Sequence, residues 1–353
     1  MSNPDFASIS LSRLIHSAGF SDFGMGGVVS FKQELPRLVL VLALMGGLIG
    51  IYSGSSFTLN ILASAFLFAG LSLSWNIIGG FGGQFSLGHS VFFATGAYVT
   101  AWLYLGHGLS PWFGIFAGGI FAACLGVAVS WPVFRLRGPF FAIATMALTE
   151  VALSLAMYFE NVTGGARGIS VPFKRGFGNM IFADRMSYAL LMLGFMAAVL
   201  VLTAFIARSR LGYELRAVRD NEDTAEASGI DVLRTKLVGM AISAATMAVG
   251  GGLYLMYVRV VDPPSLFSLF DVGVKVALIA LIGGIGTIYG PLFGALLVIP
   301  LESMLRATLG GTIPGSNLVV LGCILVLTAL YLRTGIMGAL ALLGQRFWKE
   351  PMR

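Results

Sequence analysis

Long apolar segments alternate with short polar ones along most of the chain. A helix that crosses the hydrocarbon core of a bilayer needs roughly 20 residues that are mostly apolar. Ten candidate segments span residues 38–54, 57–78, 89–105, 111–131, 139–159, 187–207, 237–258, 266–284, 290–309 and 317–333. The pattern predicts an all-α integral membrane protein, a polytopic bundle of about 8–10 transmembrane helices with glycine-rich interrupted segments.

Composition supports lipid as the main solvent of this protein. Hydrophobic residues make up 57% of the chain and charged residues only 11%, whereas soluble domains carry about 25% charged residues. The 47 glycines fit helices whose backbones approach each other closely. A soluble globular domain is therefore excluded. The net charge of +6 is not concentrated in a dense basic run, so we expect no binding of nucleic acid.

Basic residues define the expected orientation, because Lys and Arg concentrate in cytoplasmic loops. With both termini in the cytoplasm, the outer segments hold five of them: Arg167, Lys174, Arg175, Arg185 and Arg259. The chain then divides into a cytoplasmic N-terminal segment at 1–37, a transmembrane domain at 38–333 and a cytoplasmic C-terminal tail at 334–353. Two longer loops follow from this arrangement, one outside at 160–186 and one inside at 208–236.

Motifs for enzymatic chemistry are missing from the sequence. No lysine follows a glycine, so no P-loop exists, and no glycine pattern fits a dinucleotide fingerprint. Cys124 and Cys323 lie far apart in apolar stretches and make neither a metal motif nor a disulfide framework. We expect no enzymatic activity, no metal and no cofactor bound by this chain.

A few ionisable residues lie within the predicted spans. Glu150 is near the middle of its span, and His89 and Lys275 lie in or near others. An intramembrane ionisable residue is a candidate functional group, but each can also be structural: Glu150 could bond a neighbouring helix, and the long stem of Lys275 could snorkel. Carriers driven by ions usually contain several such groups, and Glu150 alone is a good candidate here.

A glycine-rich segment, Gly79–Gly88, leads into His89. Exposed backbone is tolerated at membrane depth only inside protein or beside a watery cavity. The segment is therefore either a substrate path or gate, with hydrogen bonds from Gln84, Ser86 and His89, or a tight turn between helices. Residues 78–82 (IGGFG) also resemble residues 282–286 (IGGIG), which is consistent with either an internal repeat or chance.

The loop at 208–236 contains charges of both signs and a short amphipathic pattern. Leu215, Val218 and Ala225 fall near one helical face, and Gly229 is placed to cap the helix. The pattern predicts a short helix in the cytosol. Such a helix is either a solvated connector or a docking element whose apolar face enters a groove on a soluble partner.

Several motifs in this order closely resemble permease subunits of branched-chain amino-acid ABC importers, of the LivM type. In the loop, 223–229 (DTAEASG) is similar to the Glu-Ala-Ala-x-x-x-Gly pattern of ABC importer permeases, although Asp223, Thr224 and Ser228 depart from it. The other matching stretches are 216–222 (RAVRDNE), 82–89 (GGQFSLGH), 135–143 (RLRGPFFAI), 163–165 (TGG) and 283–295 (GGIGTIYGPLFGA). The resemblance covers about residues 57–305.

The resemblance implies a transmembrane permease subunit of an ATP-driven importer for leucine, isoleucine and valine. Its implied partners are a second, related permease subunit forming a heterodimer, two cytoplasmic ATPase subunits that use the ATP, and a periplasmic substrate-binding protein. The implied location is the bacterial cytoplasmic (inner) membrane. Alternatives are an ABC permease for urea, short amides or other amino acids, an ion-coupled secondary transporter that depends on Glu150, and a channel.

The expected site residues fall into four groups. Those of the ATPase-coupling loop are Arg216, Arg219, Asp220, Asn221, Glu222, Ala225 and Gly229. Those of the substrate path are Gly82, Gly83, Gln84, Ser86, Gly88, His89, Gly283, Gly284 and Gly286. Thr163, Gly164 and Gly165 are expected at the face that meets the binding protein, and Glu150 is the intramembrane ionisable residue.

Overall fold

The computed structural model describes residues 31–136, 138–309, 319, 322 and 335–339. The long helices are α1 (Phe31–Ile51), α2 (Ser56–Asn76), α3 (His89–His107), α4 (Pro111–Val133), α5 (Pro139–Tyr158), α7 (Arg185–Ala207), α10 (Val232–Val258) and α13 (Gly290–Leu309). The shorter helices are α6 (Glu160–Thr163), α8 (Arg210–Asp220), α9 (Glu222–Ala227), α11 (Pro263–Leu266) and α12 (Lys275–Gly283). Two π-helical turns, Ile77–Phe81 and Leu269–Val274, extend α2 and precede α12.

Eight helical segments in the described part of the chain are long and apolar enough to cross a membrane. They confirm the predicted fold class of a polytopic helical membrane protein. The predicted span at 89–105 forms helix α3, which is not among these eight segments. The predicted span at 317–333 and the predicted tail at 334–353 lie largely outside the described residues, as do residues 1–30.

Helix α2 lies at the centre of the bundle and packs against α7, α10, α12 and α13. Helices α3 and α10 approach each other closely at two glycines. A Cβ atom on Gly96 would lie 1.9 Å from the carbonyl oxygen of Ala248, and one on Gly251 would lie 1.9 Å from that of Phe93. Small residues at such crossings let helix backbones touch, so these two positions fix the contact.

Charged side chains inside the bundle are paired. The buried Glu34 near the start of α1 accepts hydrogen bonds from Arg208, from Arg37 at 2.9 Å and from the Tyr289 hydroxyl at 3.0 Å. Helix α1, which contains Glu34, begins at Phe31, and its first residues belong to the segment 1–37 that was predicted as cytoplasmic. The structure also buries Lys275, whose Nζ lies 3.0 Å from Glu302, so the expectation that it snorkels is wrong.

The loop between α5 and α7 is folded against the end of α10. Strands β1 (Ile169–Ser170) and β2 (Val260–Val261) form an antiparallel pair in which Ile169 faces Val261. This ladder ties the 160–186 loop to the connection between α10 and α11.

Candidate functional site

The 208–236 loop forms two short helices rather than the single helix predicted. Asn221 interrupts them with an extended backbone (φ −164°, ψ 115°), and its side chain accepts a hydrogen bond from the Thr224 amide at 2.9 Å. This arrangement is an N-cap for α9. Gly229 adopts a left-handed conformation (φ +85°) beyond the last turn of α9, where a helix commonly ends.

The apolar side of this helix pair faces the protein. Leu215, Val218 and Ala225 are all buried. Arg216 donates a hydrogen bond to the carbonyl oxygen of Ala207 at 2.7 Å, and its guanidinium lies 4.8 Å from the centre of the Tyr213 ring. Burial lowers the pKa of the Arg216 guanidinium from its ordinary value. Because that ordinary value is very high, the group stays charged.

Helix α8 rests on the two glycine-rich turns that resemble each other in sequence. Arg219 donates to the carbonyl oxygen of Gly80 at 3.4 Å and to Asp220 at 3.0 Å. A Cβ atom on Gly83 would lie 2.5 Å from Cγ of Arg219, and one on Gly286 would lie 3.0 Å from its Nη1. Both glycines have positive φ, +67° and +73°. Arg219 therefore touches both turns, and neither position has space for a side chain.

Asn76, at the end of α2, holds the two glycine turns together. Its Nδ2 donates to the carbonyl oxygen of Thr287 at 2.8 Å, and its Oδ1 accepts from the Gly286 amide at 2.8 Å. A Cβ atom on Gly80 would lie 1.9 Å from the same Oδ1. We call Asn76, Gly80, Gly286 and Thr287 the glycine clasp. Asn76 was not among the expected site residues, and its one sequence signal is an amide at the end of an apolar run.

The remaining glycines of the second turn, Gly283 and Gly284, are also buried. A Cβ atom on Gly283 would lie 1.8 Å from the carbonyl oxygen of Gly290, at the start of α13. Gly284 accepts a hydrogen bond from the Thr287 hydroxyl at 2.7 Å. These contacts fold the chain sharply between α12 and α13.

Glu222 links α9 to the membrane helices. Its carboxylate accepts from Lys236 at 2.5 Å and from Gln84 at 3.4 Å. Lys236 itself is buried and lies 5.8 Å from the centre of the Phe134 ring. Glu222 and Lys236 also line a cleft of about 340 Å³, together with charged residues Glu226, Asp231 and Arg135.

Ser86, Gly88 and His89 lie inside the bundle, whereas Gly83 is exposed and Gln84 is partly exposed. The two ring nitrogens of His89 lie 3.0 Å from the Ser86 hydroxyl and 2.9 Å from the Ser243 hydroxyl. Ser243 donates its own proton to the carbonyl oxygen of Ser74 at 2.7 Å. Because that hydroxyl can then only accept from His89, we assign the ring proton to Nε2.

Thr163 to Gly165 form a tight turn after α5. The Thr163 hydroxyl donates to the carbonyl oxygens of Ala156, in the last turn of α5, and of Phe159, just beyond it, and it accepts from the Gly165 amide at 3.2 Å. Thr163 and Gly165 are buried. The exposed side chains beside this turn in sequence are apolar at Tyr158, Phe159 and Val162, and polar or charged at Glu160, Asn161 and Arg167.

Glu150 lies on the exposed side of α5. Its carboxylate makes no hydrogen bond or ion pair with any residue in the described ranges. Within those same ranges, no group of His, Cys, Asp or Glu side chains has the arrangement of a metal site.

The helices, the buried ion pairs and the paired glycine turns define a polytopic α-helical membrane protein with a helical loop seated on its bundle. The family model described as "Branched-chain amino acid transport system / permease component" matches residues 57–329, so the chain belongs to this family. It is a membrane permease component rather than an enzyme.

Individual relatives cover most of the chain. A LivM permease protein of the high-affinity branched-chain amino acid transport system of Escherichia coli K12 is 28% identical, over 76% of this chain and 68% of the relative. A LivH permease protein of the corresponding Salmonella typhimurium system is 27% identical, over 77% of this chain and 91% of the relative. A comparison with solved structures gave no match.

Proposed function

We propose that this chain is the transmembrane permease subunit of an ATP-driven importer for leucine, isoleucine and valine. The observation that carries the proposal is the family match over residues 57–329. The seating of α8 and α9 on the bundle supports it, because an importer whose ATPases are separate chains needs a rigid element that transmits force to the spans.

The proposed complex contains four kinds of subunit. This chain pairs with a second, related permease, as suggested by its similarity to relatives named LivM and LivH. Two cytoplasmic ATPase subunits bind and hydrolyse ATP, and a periplasmic binding protein delivers the amino acid. The complex lies in the bacterial inner membrane with both termini of this chain in the cytoplasm, because that orientation places most basic residues inside.

In this scheme the helix pair α8 and α9 is the ATPase-docking element. Arg216, Arg219, Asp220, Asn221, Glu222, Ala225 and Gly229 shape it. Arg219 carries motion to the two glycine turns, and Glu222 carries it to Lys236 and Gln84. The free side of α9 and the adjacent cleft at Glu226 and Asp231 offer acidic groups to the ATPase surface.

The glycine turns, with Gly82, Gly83, Gly283, Gly284 and Gly286, form the gate at the cytoplasmic end of the substrate path. The cluster of Ser86, Gly88 and His89 stabilises the neighbouring start of α3. At the other side of the membrane, the turn at Thr163, Gly164 and Gly165 lies at the face that meets the binding protein, beside the exposed aromatic side chains of Tyr158 and Phe159. The binding protein then contacts those aromatic side chains.

The test is uptake of labelled leucine by proteoliposomes containing this chain, its partner permease and the ATPases. The binding protein is added outside and ATP is enclosed inside. We expect accumulation that requires hydrolysable ATP and that unlabelled isoleucine or valine suppresses but urea does not. Accumulation of urea instead would indicate that the importer transports short amides. Uptake that follows an ion gradient without ATP would overturn the importer.

A further inference from the structure

Helix α5 is the least covered of the eight candidate spans, and its buried residues are Phe141, Thr145, Thr149 and Ala156. Within about 60° of Glu150 around the helix axis, the exposed side chains include those of Ile143, Met146, Ala147 and Ser154. Ala147 and Ser154 are the small members of this face. Val151 and Leu155 are exposed and apolar, and they lie about 100–140° away from Glu150.

Glu150 lies deep in the membrane. It comes eleven residues after Pro139, where α5 begins, so it is about 16 Å along the helix axis. The hydrocarbon core is about 30 Å thick, and Glu150 is therefore close to its middle. A carboxylate that faces lipid at this depth is costly, and such residues normally face the bundle interior or a water-filled cavity.

The other carboxylates described inside the bundle have cationic partners. Glu302 is bonded to Lys275 at 3.0 Å and to Arg306 at 2.8 Å, and Glu34 is bonded to Arg37 and Arg208. Glu150 differs because its oxygens are exposed and have no such partner among the described residues. No described residue therefore supplies a cation to Glu150.

We propose that Glu150 faces the translocation path and binds the α-ammonium group of the amino acid in transit. The inference rests on the proposed function, which supplies a zwitterionic substrate. A carboxylate and an ammonium group form a charge-assisted hydrogen bond, which is strong where water is scarce. Ala147 and Ser154, about one helical turn before and after Glu150, leave space for a small molecule, and the Ser154 hydroxyl can accept a further hydrogen bond from the ammonium group.

The first test asks whether Glu150 faces water. Single cysteines are placed at Glu150→Cys and at Val151→Cys, in a chain that also carries Cys124→Ser and Cys323→Ser. A charged thiol reagent that does not cross the membrane reacts only with a hydrated thiolate. We expect the cysteine at 150 to react at least about tenfold faster than its neighbour, and more slowly when leucine is present. Equal rates at the two positions would overturn the proposal.

The second test asks whether the charge binds substrate. In the assembled transporter, Glu150→Gln removes the charge and keeps the shape, so we expect the KM for leucine to rise by about tenfold or more. Glu150→Asp should recover part of the loss, and the control Val151→Gln should leave KM unchanged. A wild-type KM for Glu150→Gln would overturn the proposal.

A third outcome would also overturn it. If Glu150→Gln no longer copurifies with the partner permease, Glu150 contacts that subunit and not the substrate. Failure of the proposed function would look different, since the wild-type complex would then take up no leucine in an ATP-dependent manner. The accessibility of the cysteine at position 150 would still show in that case whether α5 borders an aqueous path.

Discussion

The most apolar 18-residue stretches of the spans Ser56–Phe81 and Pro139–Tyr158 have the same mean hydropathy, yet 83% of the first stretch is buried inside the protein and only 22% of the second. The first span, α2 with its π-helical turn, contains Gly70, Gly79 and Gly80 and touches its neighbours closely. The second, α5, contains no glycine. Hydropathy therefore does not distinguish the two spans, whereas the glycines of the first allow close contacts that the second does not make.

Polar groups differ in the same way between the two spans. Asn76 in α2 uses both ends of its amide to join the glycine turns. Glu150 in α5 is exposed and has no partner among the described residues. An amide that is fully bonded inside the bundle is structural, whereas an exposed carboxylate at membrane depth is available for function.

The largest difference in the free energy of unfolding is expected between Lys275, which lies beside α2, and Glu150, which lies in α5. The buried Lys275 lies 5.3 Å from the centre of the Phe68 ring on α2 and pairs with Glu302. Removing one partner of a buried pair is strongly destabilising, and Arg306 still compensates Glu302, so Lys275→Met should lower the free energy of unfolding by about 3 kcal/mol. Glu150→Leu should not destabilise the isolated chain. Unfolding in mixed detergent micelles measures both, and equal losses would contradict the comparison.

The next largest loss of stability is expected from breaking the glycine clasp. Asn76→Ala leaves the Gly286 amide and the Thr287 carbonyl without their partner, and we expect a loss of about 2–3 kcal/mol in the free energy of unfolding. Ser154→Ala on the exposed face of α5 is the matched control, for which we expect a change within about 0.5 kcal/mol. The same unfolding measurement applies. A wild-type stability for Asn76→Ala would mean that the two turns are held together by other contacts.

A smaller effect is expected from apolar packing. Leu73 is completely buried in α2, whereas Leu155 on α5 is 52% exposed. Leu73→Ala leaves a cavity and should cost about 2 kcal/mol, whereas Leu155→Ala should cost less than about 0.5 kcal/mol in the isolated chain. A loss at Leu155 that arises only in the assembled complex would identify α5 as a contact with another subunit.

Much of the fold follows from the sequence, because the apolar segments are long. The positions of the spans and the presence of a helical 208–236 loop are read directly from that pattern. The break at Asn221 was missed, since a capping amide inside a charged segment resembles any other polar residue. The pairing of Lys275 with Glu302 was missed as well, because the two residues are 27 positions apart and only tertiary packing joins them.

The sequence predicted the separate segments of the site but not the contacts that join them. The two glycine-rich segments could be recognised by their similarity, and the charged loop by its amphipathic pattern. Their contact through Arg219 and Asn76 depends on how α2, α8 and the start of α13 come together. A single arginine or asparagine in the sequence does not reveal such a contact.

The smallest expected effect on stability, and the most direct one on function, is at Arg219. Arg219→Gln keeps a hydrogen-bond donor but shortens the side chain, so its contact with the Gly80 carbonyl is lost. We expect a loss of less than about 1 kcal/mol in the free energy of unfolding. Arg210→Gln is the control, because Arg210 is exposed and, among the described residues, bonds only Glu214 on its own helix.

The decisive measurement is the number of leucine molecules transported per ATP hydrolysed, in proteoliposomes that contain the complete complex. Arg219→Gln should lower this ratio by about fivefold or more, because ATPase motion no longer reaches the glycine turns, and Arg210→Gln should keep the wild-type ratio. An unchanged ratio in Arg219→Gln would show that α8 does not transmit ATPase motion through the glycine clasp.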